Sequence, residues 1–331
     1  MLYVGIDVSK LKLDCSLTQD GDHILSRKIV TNNEFGFQKL RSWVNRYCQK
    51  ISSEIHMGME STGIYSESAF MFFHKLGFSV SILNPSQVKH FGKSLLLRTK
   101  TDKIDADMIA CYTARMKPRV SQPASEELRK LRKYVHHLDF LTRRCAETKG
   151  RKESCRDAEI LESMDQIILS FDVQIAKTKK LIRQLLNEYS WLKSKTQLLQ
   201  SIPGVGELTS WALISELLGI TNNQKISRKH QVAHSGLAPI SRISGSSVRG
   251  QSRICGKGND LLRKCLYMPT ISSIQHNQHV QLFYKRLLEN GKRKKVAVTA
   301  CMKKLLCIAI GVLNNEIPFD ENWKSIKPNY A

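Results

Sequence analysis

The stretch Arg98-Thr-Lys-Thr-Asp-Lys-Ile-Asp-Ala-Asp-Met-Ile-Ala110 contains two carboxylates three residues apart, Asp102 and Asp105, in a segment whose pattern predicts a helix. At that spacing both side chains project from the same face of the helix. Two like charges this close repel each other, so a protein keeps such a pair when a cation lies between them or when solvent screens them. The residues upstream decide between these two interpretations.

The upstream residues predict an α/β domain. An apolar run ends at Asp7, Asp20-Gly21 predicts a hairpin turn, and Asn33 is a predicted helix N-cap. A further strand ends at Glu60, and the acidic helix comes last. The predicted order is β-β-β-α-β-α-β-α, with strands near residues 2–7, 11–17, 23–30, 55–60 and 78–83 and helices from 33, 62–75 and 101–116.

This order indicates a ribonuclease-H-like fold, in which the ends of the first and fourth strands and the last helix meet at one edge of the sheet. Asp7, Glu60, Asp102 and Asp105 would then form one acidic cluster. Carboxylate oxygens suit Mg²⁺ or Mn²⁺. Two such ions about 3.5–4 Å apart can stabilise the attacking and leaving oxygens of a phosphoryl transfer. The cluster therefore predicts a metal site.

A structural interpretation of the same acids is the alternative. Asp7 could end its strand as a turn residue, and Glu60 could cap the following helix. Two further acids nearby, Glu67 and Asp107, are expected to be solvated surface residues.

Composition indicates a polyanionic partner. The 331 residues contain 52 Lys and Arg against 29 Asp and Glu, a formal charge of +23, which favours nucleic acid over a membrane surface. The apolar stretch from Val296 to Leu313 is interrupted by Lys303 and Lys304 and is predicted to be too short to span a bilayer. Nine scattered cysteines and an N-terminus that opens as a strand predict a cytoplasmic protein with reduced thiols.

Residues 121–198 predict a coiled coil. No proline occurs between Pro123 and Pro203, and the only glycine is Gly150. The helices could pair as a hairpin around Gly150 or with a second subunit, and basic residues such as Arg143 and Arg144 could contact a phosphate backbone. The apolar stripe alternates threes and fours at Leu128, Leu131, Val135, Leu138, Thr142 and Cys145, then at Leu161, Met164, Ile168, Phe171, Ile175, Thr178, Ile182, Leu185, Tyr189 and Leu192.

The segment Ser201-Ile-Pro-Gly-Val-Gly-Glu-Leu-Thr-Ser210 enters an apolar helix. It resembles the turn of helix-hairpin-helix modules, in which glycines such as Gly204 and Gly206 let backbone N–H groups approach a phosphate. A plain tight turn is the alternative.

A second informative segment runs from Gly236 to Gly258 and is rich in Ser, Gly and Arg. Its composition predicts a mobile loop or a phosphate-binding surface, and a serine hydroxyl beside metals and arginines could act as a nucleophile. Six basic residues follow in predicted helices, Lys294 and Lys295 among them. The basic side chains of the segment itself include Arg249, Arg253 and Lys257.

Motifs in both halves together resemble one family. The first half contains Gly-Ile-Asp (5–7), Met-Glu-Ser-Thr-Gly (59–63), Asn-Pro (84–85) and Lys-Thr-Asp-Lys-Ile-Asp-Ala (100–106). The second half contains Ser-Ile-Pro-Gly-Val-Gly (201–206), Gly-Leu-Ala-Pro (236–239), Ser-Gly-Ser-Ser-Val-Arg-Gly (244–250) and Leu-Tyr-Met-Pro (266–269). Their order and spacing resemble the DEDD transposases of the insertion-sequence one-hundred-and-ten family, relatives of Piv-type DNA invertases, over nearly the whole chain.

The resemblance implies a RuvC-like catalytic domain at 1–120, a coiled coil at 121–198 and a mainly α-helical C-terminal transposase domain at 199–331. It places the acidic tetrad on Asp7, Glu60, Asp102 and Asp105 and the catalytic serine on Ser244. It further implies recombination guided by a structured bridge RNA that pairs with donor and target DNA, carried out by a dimer or tetramer.

The implied chemistry is coherent with these residues. A serine nucleophile stores the phosphodiester energy as a phosphoserine ester, whereas hydrolysis discards it. Arg249 and Arg253 could neutralise the phosphate, and more than 230 residues separate Asp7 from Ser244, so two domains must supply the site. The alternatives are a structure-selective nuclease that uses water, a non-catalytic nucleic-acid-binding protein, and a site-specific DNA invertase.

Overall fold

The computed structural model describes residues 1–47, 54–61, 63–95, 102–219, 225–240, 243–244, 248–249, 253–255 and 258–321. The chain divides into two compact units, Met1–Pro123 and Ala124–Ala331. Each unit has a hydrophobic core of its own.

A five-stranded mixed sheet forms the centre of the first unit. Its strands are β1 (Leu2–Val8), β2 (Lys12–Thr18), β3 (Ile24–Thr31), β4 (Ile55–Glu60) and β5 (Ser79–Leu83). The spatial order is β3-β2-β1-β4-β5, in which β1 to β3 are antiparallel and β4 and β5 run parallel to β1. This topology fits the predicted ribonuclease-H-like fold.

Four helices accompany the sheet: α1 (Glu34–Tyr47), α2 (Ile64–Lys75), α3 (Pro85–Ser94) and α4 (Asp102–Met116). The Asn33 side chain accepts a hydrogen bond from the Gly36 N–H at 2.9 Å, so the predicted cap of α1 is confirmed. The sequence did not predict α3. Asn84 and Pro85 end a strand but also begin this helix, because the Asn84 side chain accepts from the Ser86 N–H at 2.9 Å and proline suits the first helical position.

The second unit is mainly helical. It contains α5 (Glu126–Ser154), α6 (Ala158–Glu188), α7 (Ser190–Gln200), α8 (Glu207–Leu217), α9 (Arg228–His234), α10 (Asp260–His276), α11 (Gln278–Glu289) and α12 (Lys294–Asn315). Between α9 and α10 lie four two-residue strands, β6 (Pro239–Ile240), β7 (Ile243–Ser244), β8 (Val248–Arg249) and β9 (Arg253–Ile254).

Helices α5 and α6 form an antiparallel hairpin within the chain, as the ion pairs of Lys152 with Asp165 and of Lys149 with Asp172 show. The turn does not lie at Gly150, as predicted, but at residues 155–157, where Asp157 caps α6. Gly150 is an interior residue of α5, which a long helix tolerates at a cost of about 1 kcal/mol. Coiled-coil pairing with a second subunit stays a prediction.

The buried stripe of α5 departs from the predicted heptad pattern at one position. Thr142 is exposed, and the neighbouring Leu141 is buried. Leu138 and Cys145, seven residues apart, are both buried, so the repeat continues, and between them the apolar Leu141 takes the inward position in place of the polar Thr142.

One core joins the base of this hairpin to the helices that follow. Leu131 of α5, Ile182 of α6, Trp211 of α8 and Leu305 of α12 all belong to it. Residues on both sides of the predicted boundary at 198/199 therefore share a core, and the three-domain division stays a prediction.

Among the described residues, α12 is the one helix that could cross a membrane by length and composition. The stretch from Val296 to Leu313 was expected to be too short for this, which is wrong on length because the helix runs for 22 residues. Ten of those residues are buried, including Leu305 and Leu306, which pack into the core of the second unit. Such burial is typical of an interior helix of a folded domain.

Candidate active site

Two of the predicted site acids lie side by side at the carboxyl ends of parallel strands. The register of β1 and β4 pairs Ile6 with Met59, so the next positions, Asp7 and Glu60, are neighbours across the ladder. Both side chains are half-buried and both take part in polar interactions. The sheet therefore brings together two carboxylates that are 53 residues apart in the sequence.

Gly5 lets α4 approach the sheet closely at this place. A Cβ atom at position 5 would lie 2.3 Å from the carbonyl oxygen of Ala106 and 2.2 Å from the backbone nitrogen of Ala110. Both contacts are with helix backbone, which cannot move aside as a flexible side chain can. Any residue other than glycine would push the helix away from the strand that carries Asp7.

The direction of α4 places its first turn towards Asp7. The C-terminal end of α4 lies near Gly21, since a Cβ added to Gly21 would lie 3.0 Å from the Cβ of Ala114. Gly21 follows β2, and the last residue of β2, Thr18, pairs with Tyr3 near the start of β1. Because Ala106 lies against Gly5 in the middle of β1, the first turn with Asp102 and Asp105 points to the carboxyl end of that strand.

These four acids provide only oxygen ligands, which is the donor set that Mg²⁺ prefers. Among the side chains that the structure describes, no three His, Cys, Asp or Glu residues converge closely enough to hold a metal. The carboxylate of Asp102 lies outside the described part of the chain. Asp7 and Glu60 are therefore adjacent at one edge of the sheet, with the first turn of α4 directed towards them, and binding of a metal ion by the four acids stays a prediction.

Asp107 has a structural role that the sequence did not reveal. It was expected to be a solvated surface residue, but its Oδ1 accepts from the Ser16 hydroxyl at 2.6 Å and from Arg27 Nε at 2.8 Å. Arg27 also donates to Oδ2 at 2.8 Å. These bonds fix α4 to β2 and β3, so Asp107 holds the helix and Asp105, two residues earlier, lies free of that pairing. The signal that could have found it is the third acid in the same helical turn.

Cys15 lies in the strand next to Asp7 and is fully buried. Burial, together with the negative charges of Asp14 and Asp7, raises the pKa of its thiol. A thiol with a raised pKa stays protonated at neutral pH, so Cys15 packs in the core and is not a nucleophile.

The serine segment forms two short antiparallel ladders. Pro239 pairs with Ile254 and Ile240 with Arg253, and further along Ile243 pairs with Arg249 and Ser244 with Val248. We call the strands β6 to β9 the serine ribbon. The sequence predicted a mobile loop or a phosphate-binding surface here, and the described residues form short strands instead. Ser244 is the last residue of β7, which pairs with β8. Lys257, predicted to bind nucleic acid, lies outside the described residues.

Gly204 and Gly206 differ in their surroundings. A Cβ on Gly204, which has φ of 94°, would lie 2.3 Å from Ser273 Oγ, so this glycine is required by close packing against α10. Gly206 is exposed, with no atom within 4 Å of an added Cβ. Glu207 already lies at this helix N-terminus and binds Arg183 at 2.7 and 2.8 Å, and its charge would repel a phosphate. Phosphate binding here stays a prediction with this observation against it.

The four remaining basic residues of the predicted nucleic-acid surface are exposed. Arg143 and Arg144 lie on the outer face of α5, where Arg144 also pairs with Glu147 at 2.8 Å. Lys294 and Lys295 begin α12. Their exposure is compatible with phosphate contacts, which stay a prediction.

Two family profiles match the chain on either side of the hairpin turn. The profile described as "Transposase" for DEDD enzymes matches residues 4–158, and the profile described as "Transposase IS116/IS110/IS902 family" matches residues 196–285. Together they cover more than half of the chain. These profiles indicate a DEDD-type transposase or recombinase.

Curated relatives extend the similarity to almost the whole length. The pilin gene-inverting protein of Moraxella bovis is 33% identical over 324 residues, which cover 96% of this chain and 98% of the relative. Its counterpart in Moraxella lacunata is 34% identical over 325 residues with the same coverage. The chain belongs to the IS116/IS110/IS902 family of transposases.

Solved structures with similarity include RuvC of Thermus thermophilus. The complex of this protein with a Holliday junction substrate covers 36% of the chain and 98% of its own length at 16% identity, with a TM-score of 0.28. A second structure of Thermus thermophilus RuvC gives 16% identity, a TM-score of 0.26 and coverage of 35% and 97%.

Proposed function

We propose that this protein is a bridge-RNA-guided DNA transposase that cuts and rejoins DNA through a phosphoserine intermediate at Ser244. Asp7, Glu60, Asp102 and Asp105 would hold Mg²⁺ for this reaction. The observation that carries the proposal is that a chain matching this transposase family in both halves has Asp7 and Glu60 adjacent in register, with α4 directed towards them.

We propose a serine nucleophile because rejoining the DNA strands without a ligase requires that the energy of the cleaved phosphodiester bond be kept. Ser244 Oγ would bond to phosphorus while a strand oxygen leaves with a proton, and the resulting ester would retain the energy of the broken phosphodiester. A strand hydroxyl would later attack the phosphorus and release Ser244 Oγ. Bound Mg²⁺ would supply charge neutralisation at the phosphate and lower the pKa of the serine hydroxyl.

Charge supports both nucleic-acid partners. A formal charge of +23 destabilises a compact chain through self-repulsion, which a bound polyanion would relieve, and exposed basic residues such as Arg143, Lys294 and Lys295 occur on separate elements. In the proposal, Arg249 and Arg253, which lie in the serine ribbon, neutralise the scissile phosphate. Self-association as a dimer or tetramer belongs to the same proposal.

A second candidate is site-specific DNA inversion. It is favoured by the names of the two Moraxella relatives, which are described as inverting a pilin gene and share about a third of their residues with this chain. A plasmid that carries two recombination sites in inverted orientation distinguishes the candidates. Inversion of the intervening DNA without insertion at new targets would favour the invertase.

The proposal is tested by incubating the protein with Mg²⁺, labelled target DNA and RNA transcribed from DNA flanking the gene. A covalent DNA–protein adduct on a denaturing gel is expected, and it should require RNA and metal. Ser244→Ala and Asp105→Asn should abolish it, whereas Ser246→Ala is the matched serine control. Cleavage that survives Ser244→Ala without an adduct would mean a nuclease that uses water.

A further inference from the structure

Glu216 is a buried carboxylate in the apolar helix α8. Its side chain is 0% exposed, and Oε1 lies 2.7 Å from His136 Nε2 and 3.2 Å from Arg132 Nε. Arg132 also donates to Oε2 at 3.3 Å, and the Asn259 side-chain amide donates to the same oxygen. A buried charge is costly unless it is paired and hydrogen-bonded, and here two cationic or polar side chains of α5 and one residue before α10 provide those bonds.

Asn259 lies where the serine ribbon returns to the helical core. Its side-chain oxygen accepts from the Leu262 N–H at 3.0 Å and so caps α10. Its backbone N–H donates to the carbonyl of His234 at 2.7 Å, at the end of α9 before the ribbon begins. One residue therefore bonds to the chain on both sides of the ribbon and to Glu216.

The two ends of the ribbon also touch directly. A Cβ on Gly258 would lie 2.7 Å from both the Gly236 nitrogen and the His234 carbonyl oxygen, so only glycine permits this approach. Beyond it the Cys255 N–H donates to the Ala238 carbonyl at 3.3 Å. We call this closed base, residues 234–238 and 255, 258 and 259, the ribbon neck.

We propose that Glu216 and Asn259 position the serine ribbon by fixing its neck to α5 and α8. In the described part of the segment each ladder of the ribbon consists of two residue pairs, and we expect the direction of such a short ribbon to depend on how its base is held. The inference rests on the proposed role of Ser244: a nucleophile misplaced by about 1 Å can lose on the order of 100-fold in rate. Glu216 and Asn259 are thus positioning residues that act through the ribbon.

Asn259→Ser separates the two roles of Asn259, which are to cap α10 and to donate a hydrogen bond to Glu216. Serine is also a good N-cap, so α10 stays capped, but its short side chain cannot reach Glu216. The matched control is Asn277→Ser, because Asn277 caps α11 through a bond from the Val280 N–H at 3.2 Å and takes no part in the Glu216 cluster.

A charge-conserving exchange provides the rescue. Asn259→Asp keeps a strong N-cap but places a second carboxylate against Glu216, and the two charges repel each other. Adding Glu216→Gln restores a pair of one amide and one carboxylate. The amide is then at position 216 and donates the hydrogen bond, and the carboxylate is at position 259 and accepts it. A residue that acts only through its bulk would not respond to this exchange.

Two measurements test the positioning role. Hydrogen exchange reports on the amides of Cys255 and Asn259, which close the neck, and single-turnover kinetics at saturating DNA reports on adduct formation at Ser244. Asn259→Ser and Asn259→Asp should speed exchange at the neck and lower the adduct rate by at least about 10-fold, with DNA affinity unchanged. The Asn259→Asp/Glu216→Gln pair should recover most of the rate, and Asn277→Ser should stay close to the wild type.

The outcomes separate this inference from the proposed function. Wild-type exchange and adduct rates in Asn259→Ser would overturn the positioning role, as would a loss that the exchanged pair fails to recover. If the wild-type protein forms no adduct that depends on Ser244, the proposed function fails. Hydrogen exchange at the neck would then still decide whether Glu216 and Asn259 fix the ribbon.

Discussion

At position 5 the absence of a side chain decides how closely α4 approaches the acidic edge of the sheet. Gly5→Ala would place a methyl group 2.2–2.3 Å from helix backbone atoms. We expect the free energy of unfolding of the first unit to fall by about 3 kcal/mol, at the upper end of overpacking costs, since backbone must move. The measurement is urea denaturation of the full chain.

Gly150→Ala is the matched control for this substitution. Gly150 lies inside α5 with no atom within 4 Å of an added Cβ. Alanine there should stabilise the protein by about 0.5–1 kcal/mol because it favours the helix. A Gly5→Ala variant as stable as the wild type would contradict the described packing of α4.

Asp105 and Asp107 lie two residues apart but should behave in opposite ways. Asp107→Asn weakens the bonds to Ser16 and Arg27, and we expect a loss of about 1 kcal/mol, since the Arg27 side chain is 42% exposed, with activity retained at low temperature. Asp105→Asn should abolish Mg²⁺-dependent cleavage without loss of stability. Thermal unfolding and cleavage assays on both variants check this, and the reverse pattern would exchange their roles.

The buried carboxyl of Glu216 should make the stability of the protein depend on pH. Burial would raise the pKa of its carboxyl, but the hydrogen bond from His136 and the charge of Arg132, with the Asn259 bond, hold that pKa below its usual value. A lowered folded pKa stabilises the protein above the unfolded value, about 4.3 for glutamate, and this stabilisation is lost as the pH falls through the folded pKa.

The free energy of unfolding of Glu216→Gln should therefore fall less than that of the wild type as the pH is lowered. Besides Arg132 and His136, the groups that face this carboxylate are Asn259, His234 of α9 and Cys265 of α10. Urea midpoints between pH 6 and pH 3, with exposed Glu188→Gln as control, measure the effect. Equal pH dependence in Glu216→Gln and the wild type would contradict it.

At the scale of the element, substitutions in α5 show which of its residues face the hairpin interface. Leu141 is 6% exposed and Thr142 is exposed. Leu141→Ala should lower the free energy of unfolding by about 2–3 kcal/mol, as in other buried large-to-small substitutions. Thr142→Ala should change it by less than about 0.5 kcal/mol. If Thr142 were the inward residue, as a strict heptad pattern predicts, the two results would be exchanged.

Elements with one clear signal could be predicted from the sequence. The alternation of β2, the cap at Asn33 and the acidic periodicity of α4 each indicated the observed element. Helix α3 was missed because Asn84-Pro85 is equally typical of a strand end and of a helix start. The hairpin turn was misplaced because glycine is a weak helix breaker inside a 29-residue helix.

The candidate site could be predicted only as far as strand ends allow. The adjacency of Asp7 and Glu60 could be predicted because parallel strands end at one edge of a sheet, and the register of β1 and β4 shows this adjacency. Their role in a metal site stays a prediction. Asp107 and Glu216 were missed because their partners, Arg27 and Arg132, are 80 and 84 residues away in the sequence. No local pattern reports a bond across such a separation.

At the scale of the whole molecule, the proposed reaction needs groups from both compact units of the chain. The acids lie in Met1–Pro123 and Ser244 in Ala124–Ala331. The central claim is that Ser244 forms the covalent bond to DNA. A neighbouring pair of serines, Ser246 and Ser247, makes the identity of the linked residue the decisive question.

The most direct measurement is mass spectrometry of the linked peptide. After reaction with Mg²⁺, RNA and DNA, nuclease and trypsin digestion leave the peptide from Ile243 to Arg249, which contains all three serines. We predict a nucleotide phosphate on Ser244 that is absent from Ser244→Ala and retained in Ser246→Ala and Ser247→Ala. Cleaved DNA with an unmodified peptide, or a phosphate on Ser246 or Ser247, would contradict the account.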